Sequence, residues 1–369
     1  MKRFLKKLLK YFLINKSKKL DFPIVVFESD DWGSIRNSSK EDIDNIKEKF
    51  NLKLDNYQAF DCLENDEDIL ALAQVLTKHK DGSGNNVKFT LNYVMNNPLL
   101  EEFVSSGLKN IPVEKIEDTY SRNKKTRSVL KLVKNNTTVF RPQFHAYEHF
   151  NYDKILDAVQ SDGVDRYSVT KGCIGMNPCD YSNLDACNTY KNSEEIKNKL
   201  VLGLNQFEEV FGNASKTMVF PCYVWDKSLE QICARVGVKA LQGKYYQNIP
   251  NGESLKKKLN IMGKKSKSGL LYLTRNVDFE TSRYYLKNET EEKCVSDTFE
   301  SVCDVLNKNI PAVICTHRVN YVSGISKENR DYGIGCLDKL ISLILQKYPD
   351  VRFMFSDELA DCYFDKMKK

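Results

Sequence analysis

Short apolar runs recur along the chain, separated by longer stretches in which apolar residues return every three or four positions. The runs at 22–29, 87–92, 137–141, 217–220, 238–241, 270–274, 311–316 and 351–355 are rich in β-branched and aromatic residues and have little alternation, as strands covered on both faces require. The helical periods fall between them, at 64–80, 193–210, 228–236, 291–306 and 335–346. This order predicts an α/β fold, a parallel sheet or barrel wrapped by helices. Two stretches break the rhythm. Residues 161–190 are rich in Asp, Asn, Gly and Cys, and 242–268, rich in Lys, Gly and Asn, read as a long loop with a short helix. Such excursions either rim a cleft or decorate the surface.

Composition adds limits. With 369 residues, 41% hydrophobic and 29% charged, the chain is globular and long enough for one large decorated domain, expected over 21–369. No apolar run approaches the ~20 residues of a spanning helix. The net charge is +6, yet residues 1–20 hold eight Lys/Arg and no acid, so the remainder is slightly acidic and nucleic acid is not an expected partner. In that basic segment Phe4, Leu5, Leu8, Leu9 and Phe12 share one helical face opposite the lysines. The longest apolar run there, Tyr11 to Ile14, is too short for a secretory core. The expectation is a cytoplasmic protein whose residues 1–19 lie on an anionic inner membrane surface, the plainer alternative being a solvated terminal helix. Eleven scattered cysteines without a C-x-x-C read as reduced thiols, and Cys173, Cys179 and Cys187 lack zinc-knuckle spacing.

Only four histidines occur, and three follow predicted strands, where parallel α/β folds place their sites. His79, between two lysines near a helix end, reads as a surface residue. Asp30 and Asp31 close the first strand; adjacent carboxylates repel unless a cation or donor lies between them. Histidines four apart, His145 and His149, share a face of a helix turn, and with one carboxylate they make an open metal set of catalytic type. His317 ends another strand. The aromatic turn Pro221, Tyr223, Trp225 and the charged turn Arg275, Asp278 follow two more.

In this order, Asp-Asp, His-x-x-x-His, an aromatic Pro turn, an acidic turn and a strand ending in His, the chain resembles the polysaccharide deacetylase family, also called NodB-like or carbohydrate esterase family 4. The resemblance covers 22–363 in order and is specific only at the motifs. It implies a distorted (β/α)7 barrel of the glycoside hydrolase/deacetylase type and metal-dependent removal of acetyl groups from sugars. By position it implies Asp30 as base, His317 as acid, and Asp31, His145 and His149 as ligands of a divalent cation, zinc first, with cobalt, nickel or manganese open. It further implies a groove wall and a backbone oxyanion donor at the aromatic turn, and Asp278 near the acid histidine. Trp32, Pro221, Tyr223, Trp225, Arg275, Asp278 and Arg318 are expected to bind substrate. Three departures stand out: Trp32 intrudes before Gly33, Ala146 replaces the usual hydroxyl residue, and the Arg before the aromatic turn is missing, leaving Arg318, Arg275 or Arg36 to supply its charge. A cytoplasmic or lipid-linked precursor of a surface glycan is the expected substrate. The alternatives are a glycoside hydrolase using Asp30 and Asp278, or a glycan-binding barrel without chemistry.

Overall fold

The computed structural model describes residues 12–177, 193–251 and 254–368. Nine parallel strands form the main sheet: β1 Ile24–Trp32, β2 Phe89–Val94, β3 Phe140–Ala146, β4 Thr217–Val219, β5 Ala240–Gly243, β6 Leu271–Thr274, β7 Val277–Asp278, β8 Ala312–His317 and β9 Arg352–Phe353. Their hydrogen-bonded order is β6-β5-β4-β3-β2-β1-β8-β7, with β9 paired to the first residues of β1. The two ends of this order are consecutive in the chain. Only Arg275 and Asn276 separate β6 from β7, and their N–H groups donate in opposite directions, to Gly243 O of β5 (2.6 Å) and Val313 O of β8 (3.0 Å). One bent strand therefore bridges both edges and closes a ring of seven, the distorted (β/α)7 barrel expected from the sequence.

The pleat sorts side chains into an inner and an outer set. Val25 and Phe27 of β1 pack outward with Leu72, Leu76, Leu340 and Ile344 of the covering helices. Ile24 and Val26 point inward with Ala240, Leu271, Leu273 and Val313. The C-terminal helix Ser356–Lys368 plugs the lower end of the barrel with Leu359, Ala360 and Tyr363. Two residues further up each strand the lining turns polar, through Glu28, Gln242, Arg275 and Cys315. This apolar floor and polar top place the chemistry at the C-terminal ends of the strands.

Several local expectations change. The stretch 242–268 holds a two-stranded hairpin, Tyr246–Asn251 with Ser254–Leu259, instead of a short helix; Tyr246 Leu259 and Pro250 Leu255 are cross-strand pairs. His145 is the penultimate residue of β3 and His149 lies in the following turn, not on a helix. The segment before the barrel is not a free tail. Leu13 and Ile14 are buried, the Lys18 N–H donates to Met262 O (3.0 Å), and Tyr363 Oη donates to Lys18 O (2.9 Å). Residues 1–11 lie outside the described residues, as do Cys179, Cys187 and most of the excursion beyond 177. No described helix is long and apolar enough to cross a membrane. All nine cysteines among the described residues are free thiols.

Candidate active site

Adjacent residues in a regular strand point to opposite faces, so Asp30 and Asp31 would ordinarily be split between the barrel interior and the outer helices. A β-bulge prevents this. Ser29 pairs with Leu91 and Trp32 with Tyr93, leaving three steps on β1 against two on β2. Asp31 sits at the bulge with φ +74, a left-handed conformation that turns its carboxylate to the same side as Asp30. Trp32, the intruding residue of the sequence reading, thus restores the outward set: its ring is fully buried and Nε1 donates to Ser29 Oγ (2.9 Å). It packs in the core and does not reach the cleft, contrary to its assignment as a substrate contact. Gly33 follows at φ +81 with its α-carbon hard against β2; a Cβ there would lie 2.9 Å from Val94 O.

Asp31 Oδ1 lies 3.1 Å from His149 Nε2 and 3.3 Å from His145 Nε2. The three candidate ligand atoms all lie within 4.8 Å of one another. His145 Nδ1 is 2.9 Å from the Val219 carbonyl, which can only accept, so Nδ1 carries a proton and Nε2 is turned toward Asp31. Burial alone would raise the Asp31 pKa; His149 and His145 outweigh it and hold the carboxyl well below the usual range. Donor set, tautomer and charge therefore suit a divalent cation. The other cleft carboxylates already have formal cations, Asp30 with Arg275, Glu280 with His317 and Asp278 with Lys244, whereas Asp31 faces imidazoles.

Of the three arginines, Arg275 is the one that reaches Asp30. Standing in the two-residue joint of the bent strand, it points into the barrel and holds Asp30 through both nitrogens, Nη1 to Oδ2 (2.5 Å) and Nη2 to Oδ1 (2.7 Å). Its Nε donates to Glu28 Oε2 (2.7 Å). Asn92 Nδ2 donates to Asp30 Oδ1 (2.7 Å). Burial works against the Asp30 charge, but Arg275 prevails and lowers its pKa to about 2. Arg318 and Arg36 are spent elsewhere. Both pair with Asp61 in the core, at 2.9 and 3.0 Å, and Arg318 also reaches Glu64 (3.1 Å), so neither lines the cleft.

His317 Nε2 is 3.9 Å from Asp30 Oδ2, and Nδ1 is 2.5 Å from Glu280 Oε1. Burial pulls the His317 pKa down, yet the Glu280 charge and hydrogen bond, with help from Cys315 and Asp31, push it up to about 10. Asn320 Nδ2 holds the other Glu280 oxygen (3.0 Å). The residue positioning this histidine is thus Glu280, which sequence reasoning missed by choosing Asp278. Asp278 is exposed at the rim and paired with Lys244. Glu280, Cys315 and His317 form a second close set of potential ligands, but the first and last are already joined to each other.

The aromatic turn closes one wall. Cys222 and Tyr223 have φ of +52 and +58, which swings Tyr223 into the cleft, where its Oη accepts from Arg275 Nη1 (3.2 Å). The Tyr223 N–H is occupied by Phe220 O (3.0 Å). Pro221 and Trp225 are buried behind the wall, with Trp225 stacked on Phe220 and bonded to Glu230, so they shape the turn without facing the cleft. The cleft holds about 310 Å3 and is lined by Asp30, Asp31, His145, His149, Tyr223 and His317, among others.

No family model and no curated protein matches the sequence. Solved structures do resemble it. One, provisionally described as a glycoside hydrolase/deacetylase from Parabacteroides distasonis, aligns at TM-score 0.54 with 8% identity over 95% of this chain and 72% of that one. Another, provisionally described as a polysaccharide deacetylase from Mycobacterium smegmatis, aligns at TM-score 0.46 and 11% identity over 95% of both chains. At such identities the first likeness fixes architecture alone: the chain has the fold of a glycoside hydrolase/deacetylase barrel, with its polar residues gathered at the strand ends.

Proposed function

We propose that the protein is a metal-dependent carbohydrate deacetylase that removes an acetyl group from an acetylated sugar. One observation carries this reading: Asp31, His145 and His149 converge in the same cleft as an arginine-held carboxylate and a carboxylate-held histidine. A divalent cation on Asp31, His145 and His149, zinc being the first choice for two imidazoles and a carboxylate, would supply a Lewis acid that polarises the acyl carbonyl and acidifies water. Asp30 is ionised and takes the proton of the attacking water, while Arg275 and Asn92 fix the plane of its carboxylate. The water oxygen adds to the acetyl carbon, and the acyl–nitrogen or acyl–oxygen bond then breaks. His317, protonated on both nitrogens, gives its Nε2 proton to the leaving sugar atom, and Glu280 stabilises the charged ring. Acetate and the free amine or hydroxyl are the products.

The glycosidase alternative needs a second carboxylate free to face Asp30. Asp278 is exposed at the rim and tied to Lys244, so nothing favours it. For the setting of the reaction, the basic residues 1–19 favour a substrate presented at an anionic membrane surface on the cytoplasmic side, such as a precursor of a surface glycan. The test is twofold: metal content of the purified protein, and acetate release from a panel of acetylated sugars and glycolipids. About one divalent ion per chain is expected, lost in His145→Ala and His149→Ala together with acetate release. Full metal occupancy in the double variant would remove the basis of the reading.

A further inference from the structure

The cleft of about 310 Å3 sits at the lower end of the ~300–1,000 Å3 typical of small-ligand sites, so most of a substrate larger than one sugar must lie elsewhere. A larger cavity of about 1160 Å3 adjoins it, with Tyr57 and Arg283 lining both. Tyr57 stands edge-on to His317, the ring centroids 5.4 Å apart. In the reading proposed above, on which this inference rests, His317 protonates the leaving sugar atom. The side marked by Tyr57 is therefore where the body of the substrate continues.

The chemistry of that second cavity is specific. Lys40 and Lys47 on helix Lys40–Phe50, Lys53 on the following loop, and Arg283 and Lys287 line it against Asp44, Asp55 and Glu328. The cations outnumber the acids five to three. None of Lys40, Lys47, Lys53 and Lys287 has a carboxylate within 4.0 Å among the described residues, whereas many lysines elsewhere do. Leu52, Leu54, Phe60 and Tyr285 add apolar and aromatic wall. Ammonium groups without a carboxylate in contact, around an apolar-walled cavity, match a phosphorylated amphiphile and offer a neutral sugar chain no comparable attraction.

We propose that the substrate is an acetylated sugar carrying a phosphate ester or diphosphate. Its anion lies among Lys40, Lys47, Lys53 and Lys287, and the attached base or prenyl group lies on the apolar wall. The test uses the full-length, zinc-loaded Asp30→Asn variant, so that binding is read without turnover. The probes are N-acetylglucosamine 1-phosphate, UDP-N-acetylglucosamine, farnesyl-diphosphate-linked N-acetylglucosamine and neutral diacetylchitobiose, titrated calorimetrically at low and high salt. Phosphorylated probes should bind roughly tenfold or more tightly than the chitobiose, with the advantage shrinking in high salt. The advantage should vanish in a second protein that also carries Lys47→Glu, Lys53→Glu and Lys287→Glu, exposed positions where the fold is not at stake. The tighter of the nucleotide and prenyl arms names the source of the phosphate. Equal binding of charged and neutral probes, no binding of the phosphorylated ones, or no effect of the triple substitution overturns the inference. Wild-type acetate release separates it from the reading beneath: anion-selective binding without acetate from any probe would sink the deacetylase and leave the anion site, and acetate from all four at one rate would do the opposite.

Discussion

At the scale of single residues, the candidate site is a set of charges each held by a named partner, and the partners make separable predictions. Glu280 raises the His317 pKa to about 10, so the ring keeps its proton through neutral pH and loses it only as pH nears that value. Glu280→Gln removes the attraction for the charged ring; its pKa falls and the alkaline limb of kcat/KM moves to lower pH. The rate at neutral pH should drop by about tenfold or more, a share of the ~10²–10⁴ that a general acid contributes. Metal content should not change, and a pH–rate profile with its alkaline limb in the original place would remove Glu280 from this role. The two aspartates should part company in the same way. Asp30→Asn keeps the ligand set and should retain metal while losing ~10²–10⁴ in rate, whereas Asp31→Asn replaces a charged ligand with a neutral one and should weaken metal binding itself. Elemental analysis beside acetate assays tells the two apart, and equal metal loss in both would undo the division of labour.

At the scale of elements, legibility in the sequence followed burial. All eight predicted strands are present, because strands buried on both sides must be written in apolar residues whatever follows them. Ends and turns were less legible. The bulge that turns Asp31 inward depends on a register with β2 that no local pattern encodes, and the hairpin at 246–259 carries too many exposed lysines to read as strand. Arg275 was left as one of three arginines, although inward alternation from Leu271 and Leu273 reaches it; only the bend in the strand decides the matter, and that is a property of barrel closure. Glu280 stood in the same acidic turn as Asp278, but its contact with His317 spans 37 residues and no local pattern ranks one acid above the other. The bulge itself is testable through Gly33. Alanine there must hold φ near +81, which costs ~1–2 kcal/mol, and its Cβ presses on Val94 O and the Ile116 side chain. Urea unfolding should show a loss of about 2 kcal/mol or more, with weaker metal binding because Asp31 is two residues away. An unchanged midpoint would mean the bulge is not fixed by this glycine.

At the scale of the whole molecule, the end of the basic N-terminal segment is joined to the barrel. Residues 13–20 belong to the barrel: Leu13, Ile14 and Leu20 are buried, and Lys18 is bonded to both Met262 and Tyr363. Residues 1–11 carry Lys2, Arg3, Lys6, Lys7 and Lys10 with Phe4, Leu5, Leu8 and Leu9, and no acid. Removing 1–11 should leave the metal content and the activity on a dissolved substrate unchanged, since each candidate catalytic residue lies at Asp30 or beyond. It should strip binding to phosphatidylglycerol vesicles, because five positive charges contribute up to ~1 kcal/mol each at an anionic surface and the apolar face adds burial. Removing 1–19 is a different experiment. It also takes away two buried aliphatic side chains, worth ~1.5–3 kcal/mol apiece as an upper estimate, and should lower the melting temperature by several degrees. Sedimentation with vesicles at low and high salt, run beside thermal melts of the three proteins, separates the two parts. Vesicle binding that survives the loss of 1–11 would move the membrane contact onto the folded barrel, where Lys264, Lys265 and Lys267 lie exposed near Lys18, and a 1–19 deletion that melts like the full chain would mean that the Leu13–Ile14 contact adds nothing to the barrel.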